Sequence, residues 1–166
     1  TASAGESLTL DSDTSLQFLY PFAPTAYVDN ESEGSLAWSD EQNDQSLVFL
    51  MKMYDSTFLF TGDIEARGEM EWLERWELEL NHEVIAEKFA YVDVMKAAHH
   101  GSKSSTTEAW MSYWRPRITV ISAGSSNLYG HPHEEVLQRL SKYKSTVYRT
   151  DQDGEVQFRV RPHQLE

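Results

Sequence analysis

The chain has no cysteine, which excludes disulfides and thiolate metal sites together. Positive charge is scarce: 14 lysines and arginines stand against 27 acids, for a formal net charge of −13. A surface of that sign repels phosphate backbones at long range. The plain reading is a solubilising acidic surface, and any reading that involves nucleic acid has to supply local positive charge, most simply as bound metal ions. No apolar run approaches the length that spans a bilayer. The opening TASAGESLTL has neither a basic start nor a long apolar core, so it is not read as a signal peptide. Apolar bulk is plentiful. Hydrophobic residues make up 40% of the 166 positions and aromatics 12%, enough to bury a core.

Alternation marks the strands. Leu8 and Leu10, then Leu16, Phe18 and Tyr20, alternate with polar residues on either side of a turn at Asp11–Asp13. Residues 25–45 are acidic and rich in Ser and Asn, without a sustained period, and read as a long loop. The runs SLVFLMKMY and TFLF, joined through Asp55 and Ser56, suggest a buried hairpin. After Asp63 a helix is expected, with Ile64, Met70, Leu73, Trp76 and Leu80 on its apolar face and Glu65, Glu69, Glu71, Glu74, Glu77 and Glu79 over the rest. YVDVMKAA and RITVISAG read as strands. Ser105 is placed to cap the helix through Trp110 and Trp114, with Glu108 closing a capping box, and Pro132 to occupy the first turn of the helix carrying Val136, Leu137 and Leu140. DQDG reads as a hairpin turn between STVYRT and EVQFRV. No internal repeat is visible.

Polar reactive groups recur where strands end and helices begin, the edge on which α/β architectures build sites. Asp63 of FTGD could cap a helix or, with two oxygens, ligate and bridge cations. In HHGS, adjacent histidines at a strand end point to different sides. One could bind a metal while the other contacts substrate, with Gly101 allowing close backbone approach and Ser102 orienting an imidazole or contacting an oxyanion. His131 of NLYGHPH is a polar cap, a proton donor or a phosphate contact. His133 reads as an exposed helix residue, and His82 and His163 as surface residues. These groups could form part of a metal site without completing a two-metal one.

The order NDQSLVFLM, FLFTGDIE, VDVMKAAHHGSKSS, PRITVISAGSSNLYGHPHEEVLQRL and VYRTDQDGEVQF, spread over residues 42–158, closely resembles the C-terminal hydrolase domain of ComEC-type competence DNA-internalisation proteins. That domain is of the metallo-β-lactamase superfamily. The resemblance implies an α+β chain with the αββα four-layer sandwich. It implies Asp63 as the carboxylate bridging two metals, His100 as a further metal ligand, and His99 and His131 as catalytic groups. Ser102, Asn43, Ser46 and Tyr129 would lie on the substrate side. The superfamily's principal signature, H-x-H-x-D-H, is absent. Residues 1–166 therefore resemble only the second half of the sandwich, and a lone half would expose one face of its sheet.

The expectation is a metal-dependent phosphodiesterase half-domain acting on DNA, degrading the non-transforming strand during uptake. Two divalent ions, zinc or manganese, would sit in the complete domain and few or none in this chain alone. The implied partner is a complementary N-terminal half. The implied parent is a membrane channel protein of a bacterium, with this part a soluble extracytoplasmic domain. The alternatives are a small-molecule or surface-polymer phosphoesterase on the same fold, and a non-catalytic interaction half.

Overall fold

The structure is a computed structural model that describes residues 2–22, 43–79 and 91–166. His82 and nearly all of the expected 25–45 loop lie outside them; the loop's last residues, Asn43–Gln45, form a single helical turn. Strands β1 (Ser7–Thr9) and β2 (Thr14–Tyr20) make the first hairpin. Its turn is held by the Asp11 carboxylate, which accepts the Asp13 N–H at 2.8 Å. Strands β3 (Val48–Met53) and β4 (Ser56–Phe60) make the second, in the expected place. Beyond β4 the pairing becomes parallel: β5 (Val94–Lys96), β6 (Ile118–Ile121) and β7 (Thr146–Arg149) follow in order, completing one seven-stranded mixed sheet. Parallel neighbours require crossovers. Helices α1 (Ala66–Glu79), α2 (Glu108–Trp114) and α3 (Glu134–Lys142) lie between successive parallel strands.

The three helices share one core on one face of the sheet. Trp72 of α1 meets Trp110, Tyr113 and Trp114 of α2 at ring separations of 5.1–5.3 Å. Val136 and Leu140 of α3 join them over Val48, Leu50, Leu59, Met95 and Ile121 of the strands. Side chains alternate between faces, so the opposite face carries Phe49 and Phe60, which stack at 4.8 Å, and Phe18, 6.2 Å from Phe49. Phe158 of the C-terminal segment packs edge-on against Phe58 there, at 5.9 Å.

Several local expectations are corrected. Ile64 and Leu73 pack on the core as expected and Leu80 lies outside the described residues, but on α1 the buried stripe also runs through Gly68, Glu69 and Trp72, while Met70 is 46% exposed. A glycine and a glutamate on the inner side hid that stripe from a count of apolar residues. Glu69 is not solvated: its two oxygens accept the N–H groups of Thr106 and Thr107, at 2.6 and 2.8 Å, at the start of α2. Thr107, not Ser105, is the N-cap, its hydroxyl accepting the Trp110 N–H at 3.2 Å. Ser105 is buried and donates to the carbonyls of Ala98 and Ser102. The N-cap of α3 is His133, which leaves Pro132 outside the helix. DQDG makes no hairpin. Its first three residues lie in the short helix α4 (Thr150–Asp153), held by Asp151 and Asp153 against Arg149 and capped by Gly154, and the next strands, β8 (Val160–Arg161) and β9 (Gln164–Leu165), pair with each other.

Candidate functional site

Because β4, β5 and β6 run parallel, the loops after them leave the same edge of the sheet. These loops carry Asp63, the histidine pair and His131. The pair stands at the end of β5 in left-handed backbone, with φ of 45° at His99 and 55° at His100. Side chains rarely adopt that region, which costs on the order of 1–3 kcal/mol per residue and is found where surroundings over-determine it. Here they do. Gly101 also has positive φ, and a Cβ there would stand 2.6 Å from Pro132 Cβ, so only glycine fits. The Gly101 carbonyl accepts the His133 N–H at 2.9 Å. His133 in turn accepts the Lys103 N–H on Nδ1 at 3.2 Å.

The two imidazoles diverge, as expected of adjacent residues, with ring centres 6.3 Å apart. His100 Nδ1 lies 2.7 Å from the Ser122 carbonyl, a partner that can only accept. Nδ1 therefore carries a proton, and Nε2 is turned toward Asp63 Oδ1, 3.5 Å away. His99 Nδ1 lies 2.9 Å from Glu65 Oε1, close but off the line of a straight hydrogen bond, and its ring centre is 5.6 Å from that of His131.

Asp63 is placed by its neighbours. Its N–H donates to Ser46 Oγ at 3.0 Å, and Gly62, with φ of 55°, leaves no room for a Cβ against Ser46. Lys96, the last residue of β5, donates from Nζ to the carbonyls of Gly62 at 2.9 Å and Ala97 at 3.2 Å, and lies 3.8 Å from Asp63 Oδ1. Burial holds its ammonium below the usual lysine range, with Asp63 pulling the other way. Asn43 Nδ2 donates to Glu65 Oε1 at 3.2 Å. Asn43 and Ser46 thus touch Glu65 and Asp63. Ser102 is buried, its hydroxyl paired with that of Ser104 at 2.9 Å.

His131 is fixed by Asn127, whose side chain accepts the His131 N–H and donates to the His131 carbonyl, both at 2.8 Å. Its imidazole titrates below the ordinary histidine range, first through burial and then through the nearby His133, His99 and His100. Tyr129 lies over it, ring centres 5.7 Å apart and planes 24° from parallel. The His133 ring is 4.9 Å from that of His131. His133, expected as an exposed helix residue, is instead the N-cap of α3 and belongs to this cluster, a place to which the H-P-H spacing points. Lys96 and Glu65 were also missed as site residues. A hollow of about 630 Å³ bordered by Asp13, Lys52 and His163 lies at the opposite end of the strands and contains none of these groups.

Among the described residues, no three His, Asp or Glu side chains close around one point. Asp63 and His100 fit part of a divalent-cation site: a hard carboxylate oxygen faces an imidazole whose tautomer is set by a carbonyl, the usual outer partner of a metal-bound histidine.

No family model matches the chain. Among curated proteins it is similar to ComE operon protein 3 of Bacillus subtilis, 38% identical over 122 residues, 72% of this chain. It is also similar to Recombination protein 2 of Haemophilus influenzae, 35% identical over 124 residues or 75% of this chain, and to Competence protein ComA of Neisseria gonorrhoeae, 29% over 118 residues or 71%. These matches support the relationship to competence proteins implied by the motif order. The chain spans only 14%, 14% and 16% of those three proteins.

Proposed function

We propose that this chain is the C-terminal half of a metallo-β-lactamase-type αββα sandwich and forms part of a metal-dependent phosphodiesterase that acts on DNA during competence uptake, degrading the non-transforming strand. The observation that carries the reading is the His100–Asp63 pair. His100 Nδ1 is committed to the Ser122 carbonyl and Nε2 is turned to the carboxylate. Two divalent ions, zinc or manganese, would neutralise phosphate charge and lower the pKa of a bound water. Asp63 and His100 are this chain's share of the ligands, with Asp63 as the bridging carboxylate. His131, kept neutral by burial and by its imidazole neighbours, offers an N–H to a phosphate oxygen or to the leaving group. His99, with Glu65 Oε1 2.9 Å from its Nδ1, faces the substrate in this reading.

The sheet face away from the helices supports a missing half. Phe18, Phe49 and Phe60 present an aromatic strip on the side away from the helices, the kind of surface a second sheet covers about 10 Å away. The complementary half would come from the same parent or a second chain, with the parent a bacterial membrane channel and this part extracytoplasmic. No described helix is long and apolar enough to cross a membrane.

A non-catalytic interaction half is the second reading, favoured by one observation: the Lys96 ammonium already stands beside Asp63. The experiment that separates the two measures bound metal and DNA cleavage by the full-length protein and its Asp63→Asn variant. Loss of both supports the enzyme. Full cleavage with unchanged metal content would falsify the assignment of Asp63.

A further inference from the structure

The loop between β6 and α3 ends in an exposed pair of large side chains, Leu128 at 99% and Tyr129 at 79% of their full accessible surface. Such residues at a loop tip are usually incidental. Three features set this pair apart. The loop is anchored: Asn127 donates to the carbonyls of Gly124 and His131 and accepts the His131 N–H, all at 2.8 Å. The Tyr129 ring is oriented, lying nearly parallel to the His131 imidazole at 5.7 Å. And it stands directly beside the candidate site, since His131 is itself 5.6 Å from His99.

We propose that Tyr129, with Leu128 beside it, is a stacking platform for an unpaired nucleobase, and that the site therefore takes its DNA single-stranded. The inference rests on the DNA reading above. A base inside a duplex has both faces covered by its neighbours, so away from duplex ends only an unstacked base can lie on a protruding ring. Stacking is also the contact that this chain's charge does not oppose. A net charge of −13 weakens attraction to phosphates, whereas a π-face attracts any base without charge. With a base on Tyr129, the adjoining phosphate is carried toward His131 and the metal-facing pair. Recognition of this kind is tolerant of sequence, because every base has a π-face.

The test is fluorescence anisotropy on the full-length protein, without divalent ions. Two labelled probes are used: an oligo(dT) about 12 nucleotides long, within the span of a strand-binding groove, and an abasic oligonucleotide of the same length and charge. Wild type should bind oligo(dT) more tightly than the abasic strand. Tyr129→Ala should weaken oligo(dT) binding by about 5- to 150-fold, the range expected for one stacked base, and leave the abasic strand unchanged. Tyr129→Phe and Tyr129→Trp should restore binding. Because Tyr129 is exposed, its removal should not unfold the chain. Equal affinity of wild type for both probes, or an oligo(dT) affinity unchanged by Tyr129→Ala, would overturn the platform while leaving the DNA reading standing. If wild type binds neither probe, the platform falls, whereas the DNA reading is decided separately, by whether the metal-loaded protein cleaves DNA.

Discussion

Lys96 ties together the two loops that carry the metal-facing pair. One ammonium donates to the carbonyl before Asp63 and to the carbonyl following Lys96 itself, at the start of the turn with His99 and His100, while standing 3.8 Å from Asp63 Oδ1. Two of its three N–H donors are taken by carbonyls of these loops, and the charge itself lies within ion-pair distance of Asp63. Lys96→Met keeps the stem and removes the donors, leaving two carbonyls without their partner. Stability should fall by about 1–3 kcal/mol, read by urea denaturation. A midpoint equal to wild type would show that Lys96 holds nothing together.

The left-handed backbone at His100 gives a second prediction. His100→Ala and His100→Gly both lose the imidazole and its bond to Ser122, but only alanine keeps a Cβ at φ of 55°. The glycine variant should therefore be the more stable of the two by about 1 kcal/mol, the left-handed penalty less the extra freedom of unfolded glycine. Both should lose metal and cleavage. If the alanine variant is equally stable, the strain assigned to this turn is absent.

Glu69 makes stability depend on pH. Burial raises its carboxyl from 4.5 to about 7, against the pull of the Thr107 and Thr106 donors and of Arg139. The unfolded chain therefore releases this proton at lower pH than the folded one. Below about pH 4.5 both states are protonated and the term vanishes. As pH rises toward 7 the unfolded state gains by ionising first, so this group's contribution to stability falls, by about 3 kcal/mol at full extent. Glu69→Gln should flatten the difference in urea midpoint between pH 5 and pH 8 while lowering stability at both, because its amide cannot accept both N–H groups. A variant with the wild-type pH profile would place the titration elsewhere.

His131 should separate chemistry from metal binding. His131→Ala in the full-length protein is expected to leave metal content unchanged and to slow DNA cleavage by roughly 10²–10⁴-fold, the range for a lost proton-transferring group. Loss of metal on this substitution would make His131 a ligand instead.

Much of this was legible in one dimension because it is local. Two hairpins, three later strands and the helices between them follow from alternation, apolar runs and the turn residues that bound them. The places where Asp63, His99, His100 and His131 stand, just past strand ends with a glycine alongside, follow from the same punctuation. What held those groups was not legible. Lys96 looked like any strand residue, and Glu69 like one more acid on an acidic helix.

By itself, the sequence determined the elements, their order and the loops that bear the reactive groups, because backbone periodicity and turn chemistry act over a few neighbouring residues. The tertiary structure alone decided which side chains meet. Lys96 reaches the Gly62 carbonyl across 34 residues of chain and Glu69 reaches Thr106 across 37, and such pairings exist only once parallel strands have brought their ends to one edge. Parallel pairing, unlike a hairpin, is closed through long crossovers rather than by neighbours. The contacts it creates leave no spacing in the sequence to read.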